Sequence, residues 1–255
     1  MSNKNNNNRN IFQYFWPNIP ASMSLVIIGD IHGRPIWTNI VSRHPNAEII
    51  FLGDYFDSKE GMTGSEQIEN FNKIIGFKKS WPKKVTLLLG NHDYHYLPFA
   101  GETYSGYQYA FAMDIRKALE QATGQKLLKI CKSHRGYLFS HAGLTKTWCL
   151  RNDIPISNPV NAVNNLFYRN PGAFRFSPGP RFDSSGNEPE QGPLWVRPPS
   201  LFADNLPGAT QVVGHTQRKT IQFLEGVIVV DILSYSCNYL EINSNKKPIV
   251  HTCMP

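Results

Sequence analysis

The chain has 255 residues, 41% hydrophobic, 18% charged and 12% aromatic, which fits one large domain or one domain with a sizeable insertion. No apolar run approaches the roughly 18 residues of a membrane span. The Asn-rich stretch Met1 to Asn10, followed by a short apolar run stopped at Pro17, does not read as a secretory signal. The net charge of +7 arises from 26 Lys+Arg against 19 Asp+Glu without a long basic block; it suits an anionic substrate and gives no footprint for nucleic acid.

Residues 1–20 read as a polar tail followed by a docking segment of Phe12, Tyr14, Phe15 and Trp16, and residues 21–255 as a single domain. Strands are predicted at Leu25 to Ile28, Glu48 to Leu52 and Val85 to Leu89. They alternate with helices at Pro35 to Arg43, Glu66 to Lys79 and Tyr107 to Gln121. The second half carries short strands at Leu127 to Lys132, Tyr137 to Ser140, Gln211 to Val213, Thr220 to Phe223, Val227 to Val230 and Tyr239 to Ile242. The Pro- and Gly-rich stretch at about 177–199 is too long for an ordinary connection and reads as a functional loop. Cys131, Cys149, Cys237 and Cys253 form no CxxC and read as reduced thiols of a cytoplasmic protein.

Five apolar strands are each followed by a small residue and a ligand-type side chain: Gly29-Asp30-Ile31-His32-Gly33, Gly53-Asp54-Tyr55-Phe56-Asp57, Gly90-Asn91-His92-Asp93, Ser140-His141-Ala142-Gly143 and Gly214-His215-Thr216. In an α/β sheet the carboxyl ends of parallel strands open onto one crevice, where ligands bind. Two Asp, one Asn and three His from separate strand ends would therefore meet, a donor set suited to two divalent ions sharing a carboxylate. His44, His134 and His251 are assigned no role, and His95 lies near the site in sequence without matching anything. Asp231 reads as a structural loop carboxylate.

These motifs, over about residues 24–242, resemble the series of the calcineurin-like metallophosphoesterases. Gly214-His215-Thr216-Gln217 and Leu194-Trp195-Val196-Arg197 are closest to the phosphoprotein phosphatase branch, with its small bacterial and phage members and the dinucleoside tetraphosphatases. The resemblance implies an αββα fold, two mixed sheets packed as a sandwich flanked by helices. It implies Asp30 and His32 on one metal, Asp54 bridging, and Asn91, His141 and His215 on the other. Manganese is the foremost candidate, with iron, zinc, nickel or magnesium as alternatives; water held between the ions would attack phosphorus. His92 corresponds to the general acid and Asp57 to the carboxylate that orients it. Arg197 corresponds to the branch's phosphate-holding arginine. The branch usually carries Arg after Gly-Asp-x-x-Asp, whereas here Ser58 follows; Lys59 or Arg34 would supply charge without that bidentate fork. The implied substrates are phosphorylated: a phosphoprotein or similar monoester, with nucleotide pyrophosphate or phosphodiester cleavage as the alternative and a non-catalytic scaffold as a third reading.

Overall fold

The computed structural model describes residues 23–253 except Pro178, so the expected tail and docking segment lie outside the described residues. Strands β1 (Leu25–Ile28), β2 (Glu48–Phe51) and β3 (Val85–Leu88) alternate with helices α1 (Trp37–Arg43) and α2 (Gly64–Ser80). The short helix α3 (Asn91–Tyr94) follows β3, and α4 (Ala112–Gly124) leads to β4 (Leu128–Lys129). Next come β5 (Cys131–His134), β6 (Tyr137–Ser140), α5 (Lys146–Arg151), α6 (Val160–Arg169) and α7 (Pro198–Ala203). The chain closes with β7 (Thr210–Val213), β8 (Gln222–Leu224), β9 (Val227–Val229), β10 (Asn238–Ile242) and β11 (Pro248–Thr252).

The strands form two mixed sheets, as expected. One has the order β11-β10-β1-β2-β3-β4, parallel from β1 to β4 and antiparallel at β10 and β11. The other runs β5-β6-β7-β9-β8, with β6, β7 and β9 parallel. Alternation of side chains along each strand divides the core. Leu25, Ile27, Ile50 and Leu88 pack against Phe139, Val212 and Ile228 between the sheets. The opposite set, Val26, Ile28, Ile49, Phe51 and Leu87, meets Trp37, Ile40, Phe71, Ile74 and Phe77 of α1 and α2. On the outer face of the second sheet, Val213, Val227 and Val229 pack on Leu201 of α7.

Several boundaries differ from the sequence reading for identifiable reasons. Helix α2 starts two residues before Glu66 because Thr63 caps it, with Glu66 closing a capping box. Helix α1 starts at Trp37 rather than Pro35, with Ile36 as its N-cap. A 3₁₀ turn at Tyr109–Phe111 precedes α4. The single strand expected at Leu127 to Lys132 is two strands in different sheets. The Asn164 amide oxygen accepts the Ile130 and Cys131 N–H groups at 2.8 and 3.3 Å, diverting the backbone from one sheet to the other. The strand expected from Thr220 begins at Gln222, and edge strand β11 was not anticipated.

The described residues of the 177–199 stretch form no strand or helix before α7, yet they are tied down internally. Buried Glu188 accepts the Asp183 and Arg181 N–H groups at 2.8 and 3.2 Å, and the Gln191 amide donates to the Ser177 carbonyl at 2.6 Å. No helix among the described residues is long and apolar enough to cross a membrane.

Candidate active site

Asp30 follows β1, Asp54 follows β2, Asn91 follows β3, His141 follows β6, His215 follows β7 and Asp231 lies just beyond β9. All six strand ends converge on one end of the sandwich. The approach is so close that side chains are excluded at its glycines. A Cβ on Gly90 would stand 2.0 Å from Asp54 Oδ1, and one on Gly214 would stand 2.1 Å from Asp30 Oδ1. Gly214→Ala is therefore expected to displace Asp30 and lower metal content without removing any donor; two full metal equivalents by elemental analysis would contradict this. His32, Asp54, Asp57 and His215 all adopt left-handed φ between +43° and +64°. Such conformations cost on the order of 1 kcal/mol or more each and gather where a site dictates backbone direction.

Asp93 holds this geometry from beneath. Its carboxylate accepts the N–H groups of Asp54, Tyr55 and Gly90 at 2.7–2.9 Å, joining the β2 and β3 ends.

The three histidines share one arrangement. His32 Nδ1 donates to the Phe56 carbonyl at 2.7 Å, His141 Nδ1 to the Leu52 carbonyl at 2.9 Å, and His215 Nε2 to the Trp195 carbonyl at 3.0 Å. A carbonyl only accepts, so each contact fixes a tautomer and leaves the other ring nitrogen with its lone pair. Those lone pairs face inward: His141 Nε2 and His215 Nδ1 lie 2.8 and 2.9 Å from Asn91 Oδ1. His32 Nε2 lies 3.7 Å from Asp54 Oδ2, and His141 Nε2 lies 3.5 Å from Asp54 Oδ1. Asp54 thus turns one oxygen toward each half of the cluster. Burial pushes His32 down to about 4, and lowers His141 and, strongly, His215, so all three imidazoles are neutral near pH 7.

The carboxylates tell the complementary story. Burial, then Asp231 and Asp54, drive Asp30 well above the usual carboxylate range. Burial and Asp54 raise Asp231 to about 6. Neutral imidazole lone pairs facing crowded carboxylates are what cationic metals require of a site. Asp30, His32 and Asp54 alone bring three ligand atoms within 4.8 Å of one another. The residues present could therefore hold two divalent ions.

His92 and Asp57 stand beside this cluster. His92 Nδ1 donates to Asp57 Oδ2 at 2.8 Å, leaving Nε2 as its available nitrogen, and its backbone N–H donates to Asp54 Oδ1 at 2.9 Å. Burial disfavours the imidazolium, but Asp54 and Asp57 outweigh it and raise His92. Burial would likewise raise Asp57, but the hydrogen bond from His92 and the close approach of the His95 imidazole hold it down at about 2. This depressed value stabilises the fold above the unfolded Asp value, and the contribution disappears as pH falls through about 2. The stability gap between the protein and Asp57→Asn should shrink by ~2 kcal/mol between pH 5 and pH 2 in denaturant unfolding. A gap independent of pH would refute this.

Arg197, Arg34 and Lys59 all line the same cleft of about 580 Å³. Arg197 caps α7 and donates from Nε to the Ser185 carbonyl at 2.8 Å and from Nη1 to the His215 carbonyl at 3.0 Å. Arg34 is buried, with Nε 2.7 Å from Glu60 Oε1, while Lys59 is exposed. Ser58 does not line the cleft. Its N–H donates to Gln67 Oε1 at 3.1 Å and its hydroxyl accepts the Glu60 N–H at 3.2 Å.

Two residues are better placed than their sequence suggested. Asp231, read from the sequence as a structural loop carboxylate, lies buried in the cleft beside Asp30. Its position one residue past an apolar strand, like the other strand-end ligands, was the available signal. His95 is buried with Nε2 2.7 Å from Asp57 Oδ2; its spacing of three residues from His92 puts both on one face of the α3 turn. His44, Glu241 and His251 also cluster, at the outer edge of the first sheet. There His44 Nε2 meets the Tyr239 hydroxyl at 2.7 Å and His251 Nε2 meets Glu241 at 2.5 Å.

Comparison with known proteins agrees with this geometry. The calcineurin-like phosphoesterase family matches residues 23–218. The chain therefore belongs to the calcineurin-like phosphoesterases, a family of metal-dependent hydrolases. It is 32% identical over 79 residues to the serine/threonine-protein phosphatase 6 catalytic subunit of Drosophila melanogaster, a match covering 29% of this chain and 24% of that protein. The cold-active protein-tyrosine phosphatase of a psychrophilic Shewanella sp. superposes with a TM-score of 0.57 at 19% identity, covering 92% of this chain and 81% of that one. A protein serine/threonine phosphatase from Saccharomyces cerevisiae gives 0.56 at 17% identity over 92% and 80%. These two structures share the fold.

Proposed function

We propose that the chain is a phosphomonoesterase acting on a phosphoprotein or comparable phosphate ester with two divalent ions, manganese foremost. The observation that carries this reading is the set of three histidines, each with one nitrogen donating to a backbone carbonyl and the other facing Asn91 or Asp54. Asp30 and His32 would hold one ion, Asn91, His141 and His215 the other, and Asp54 both. When bound, the two ions would supply a Lewis acid for the phosphoryl oxygens and acidify water for in-line attack. Asp57 keeps the His92 ring oriented and charged, so that His92 Nε2–H can protonate the leaving oxygen. Arg197 presents a guanidinium whose Nε and Nη1 are anchored to the Ser185 and His215 carbonyls, an orientation that binds phosphate; Arg34 and Lys59 add positive charge to the cleft. Four free cysteines, three of them buried, support a cytoplasmic setting.

A second reading, a nucleotide pyrophosphohydrolase or phosphodiesterase, draws on one feature. Tyr104, Phe176 and Trp195 line the cleft, with the Tyr104 and Trp195 rings 4.4 Å apart, a surface on which a base can stack. A panel of phosphopeptide, dinucleoside tetraphosphate and cyclic nucleotide, assayed with manganese and with chelator, separates the readings. Metal-dependent turnover of phosphopeptide above the nucleotides supports the first; the reverse ranking overturns it.

Arg197→Ala tests the phosphate clamp. Losing one charge-assisted contact in a dry site costs on the order of 2–4 kcal/mol of transition-state stabilisation, roughly 30- to 1,000-fold in kcat/KM. Metal content should be unchanged. An efficiency within a few-fold of the parent protein, with lowered stability, would show that Arg197 only fastens the 177–199 stretch.

A further inference from the structure

We infer that His95 is a positioning residue for the general acid. It clamps the Asp57 carboxylate opposite His92 and so holds the His92 ring in line with the leaving oxygen. The inference rests on the phosphoesterase reading and deepens it.

Asp57 has no solvent exposure in its side chain, and each of its oxygens is approached twice. Oδ2 faces His92 Nδ1 at 2.8 Å and His95 Nε2 at 2.7 Å. Oδ1 accepts the Tyr96 hydroxyl and, at 3.4 Å, the Gln108 amide. The Tyr96 hydroxyl in turn accepts the Gln108 N–H at 2.9 Å, closing the ring of contacts.

The tautomer of His95 follows from its other nitrogen. The backbone N–H of Tyr104 donates to His95 Nδ1 at 3.3 Å, which places the proton of the neutral ring on Nε2. That N–H points into a dry space where its approach to Asp57 is off the line of an ideal hydrogen bond and it has no other partner. A buried donor with one neighbour is committed to that neighbour, because leaving it unpaired costs about 1–3 kcal/mol.

The ring itself cannot drift. His95 lies edge-on to Tyr96 at 4.5 Å and to Tyr107 at 5.0 Å, and stacks on Tyr104 at 6.1 Å. His92 is edge-on to it at 5.5 Å. The clamp matters because Asp57 sits on left-handed backbone, φ +64°, midway along the loop between β2 and α2 rather than on a strand. Without His95, Oδ2 would face His92 alone while Tyr96 and Gln108 hold Oδ1, so the carboxylate could tilt about Oδ1 and carry the His92 ring with it. A misplacement of about 1 Å is enough to damage proton transfer.

The test uses leaving-group dependence in the full-length, metal-loaded protein. His95→Phe keeps the aromatic packing and removes the N–H; His95→Gln keeps a donor near the Nε2 position. Both are assayed with para-nitrophenyl phosphate, whose leaving group needs little protonation, and with phenyl phosphate and a phosphoserine peptide, whose leaving groups need it. We expect His95→Phe to lower kcat about 10-fold or more on the latter two and under about 3-fold on para-nitrophenyl phosphate. KM and metal content should be unchanged, and His95→Gln should recover most of the loss. Equal losses on all three substrates, a His95→Gln variant as impaired as His95→Phe, or parental kcat in His95→Phe would each overturn the positioning role. A drop in metal content in His95→Phe would place His95 among the metal ligands and also overturn it. Failure of the parent protein to hydrolyse any of the esters with metal added would instead defeat the phosphoesterase reading itself.

Discussion

Asp54→Asn is expected to abolish turnover and to strip at least one metal equivalent from each chain. The carboxylate has one oxygen 3.5 Å from His141 Nε2 and the other 3.7 Å from His32 Nε2, so it belongs to both halves of the cluster. A carboxylate carries charge on both oxygens and can serve two cations, whereas an amide offers one neutral oxygen and a nitrogen that cannot coordinate. Opposed by burial but favoured by His141, His92 and His32, Asp54 lies below its ordinary value and is ionised. The substitution hardly changes volume, so the fold should survive. Elemental analysis returning two full metal equivalents from the variant would refute a shared carboxylate.

His92→Asn should fail differently. Its metals should stay bound, because His92 turns its side chain to Asp57, while kcat falls ~10²–10⁴-fold, the usual consequence of losing a general acid. The loss should shrink as the leaving group improves, so phenyl phosphate should suffer more than para-nitrophenyl phosphate. The pH profile carries the same information with a definite sign. His92 is raised and must be protonated to act, so in the parent protein the rate on phenyl phosphate falls as pH rises through its pKa. Equal losses on both esters would argue against protonation of the leaving oxygen.

The architecture was legible because its signals are local and repeated. A short strand whose last residues are apolar, ending in Gly or Ser plus a ligand-type side chain, occurs at Asp30, Asp54, Asn91, His141 and His215, and parallel strands deliver such ends to one place. Asp231 obeys the same rule after β9, with no glycine beside it. The switch of sheets between Lys129 and Cys131 was not legible. It depends on the Asn164 side chain more than thirty residues away. The clamp on Asp57 was legible only in part: the His92–His95 spacing is local, but Gln108 reaches Asp57 from a loop ahead of α4. Ser58, which stands where the branch usually carries Arg, turns its N–H to Gln67 and its hydroxyl to the Glu60 N–H and does not line the cleft.

Anomalous diffraction from crystals grown with manganese tests the central claim most directly. Two peaks are expected, roughly 3.5–4 Å apart as in two-metal hydrolytic sites. One should be bordered by Asp30 and His32, the other by Asn91, His141 and His215, with Asp54 reaching both. A single peak, or peaks at the His44, Glu241 and His251 cluster with none at the strand ends, would contradict it.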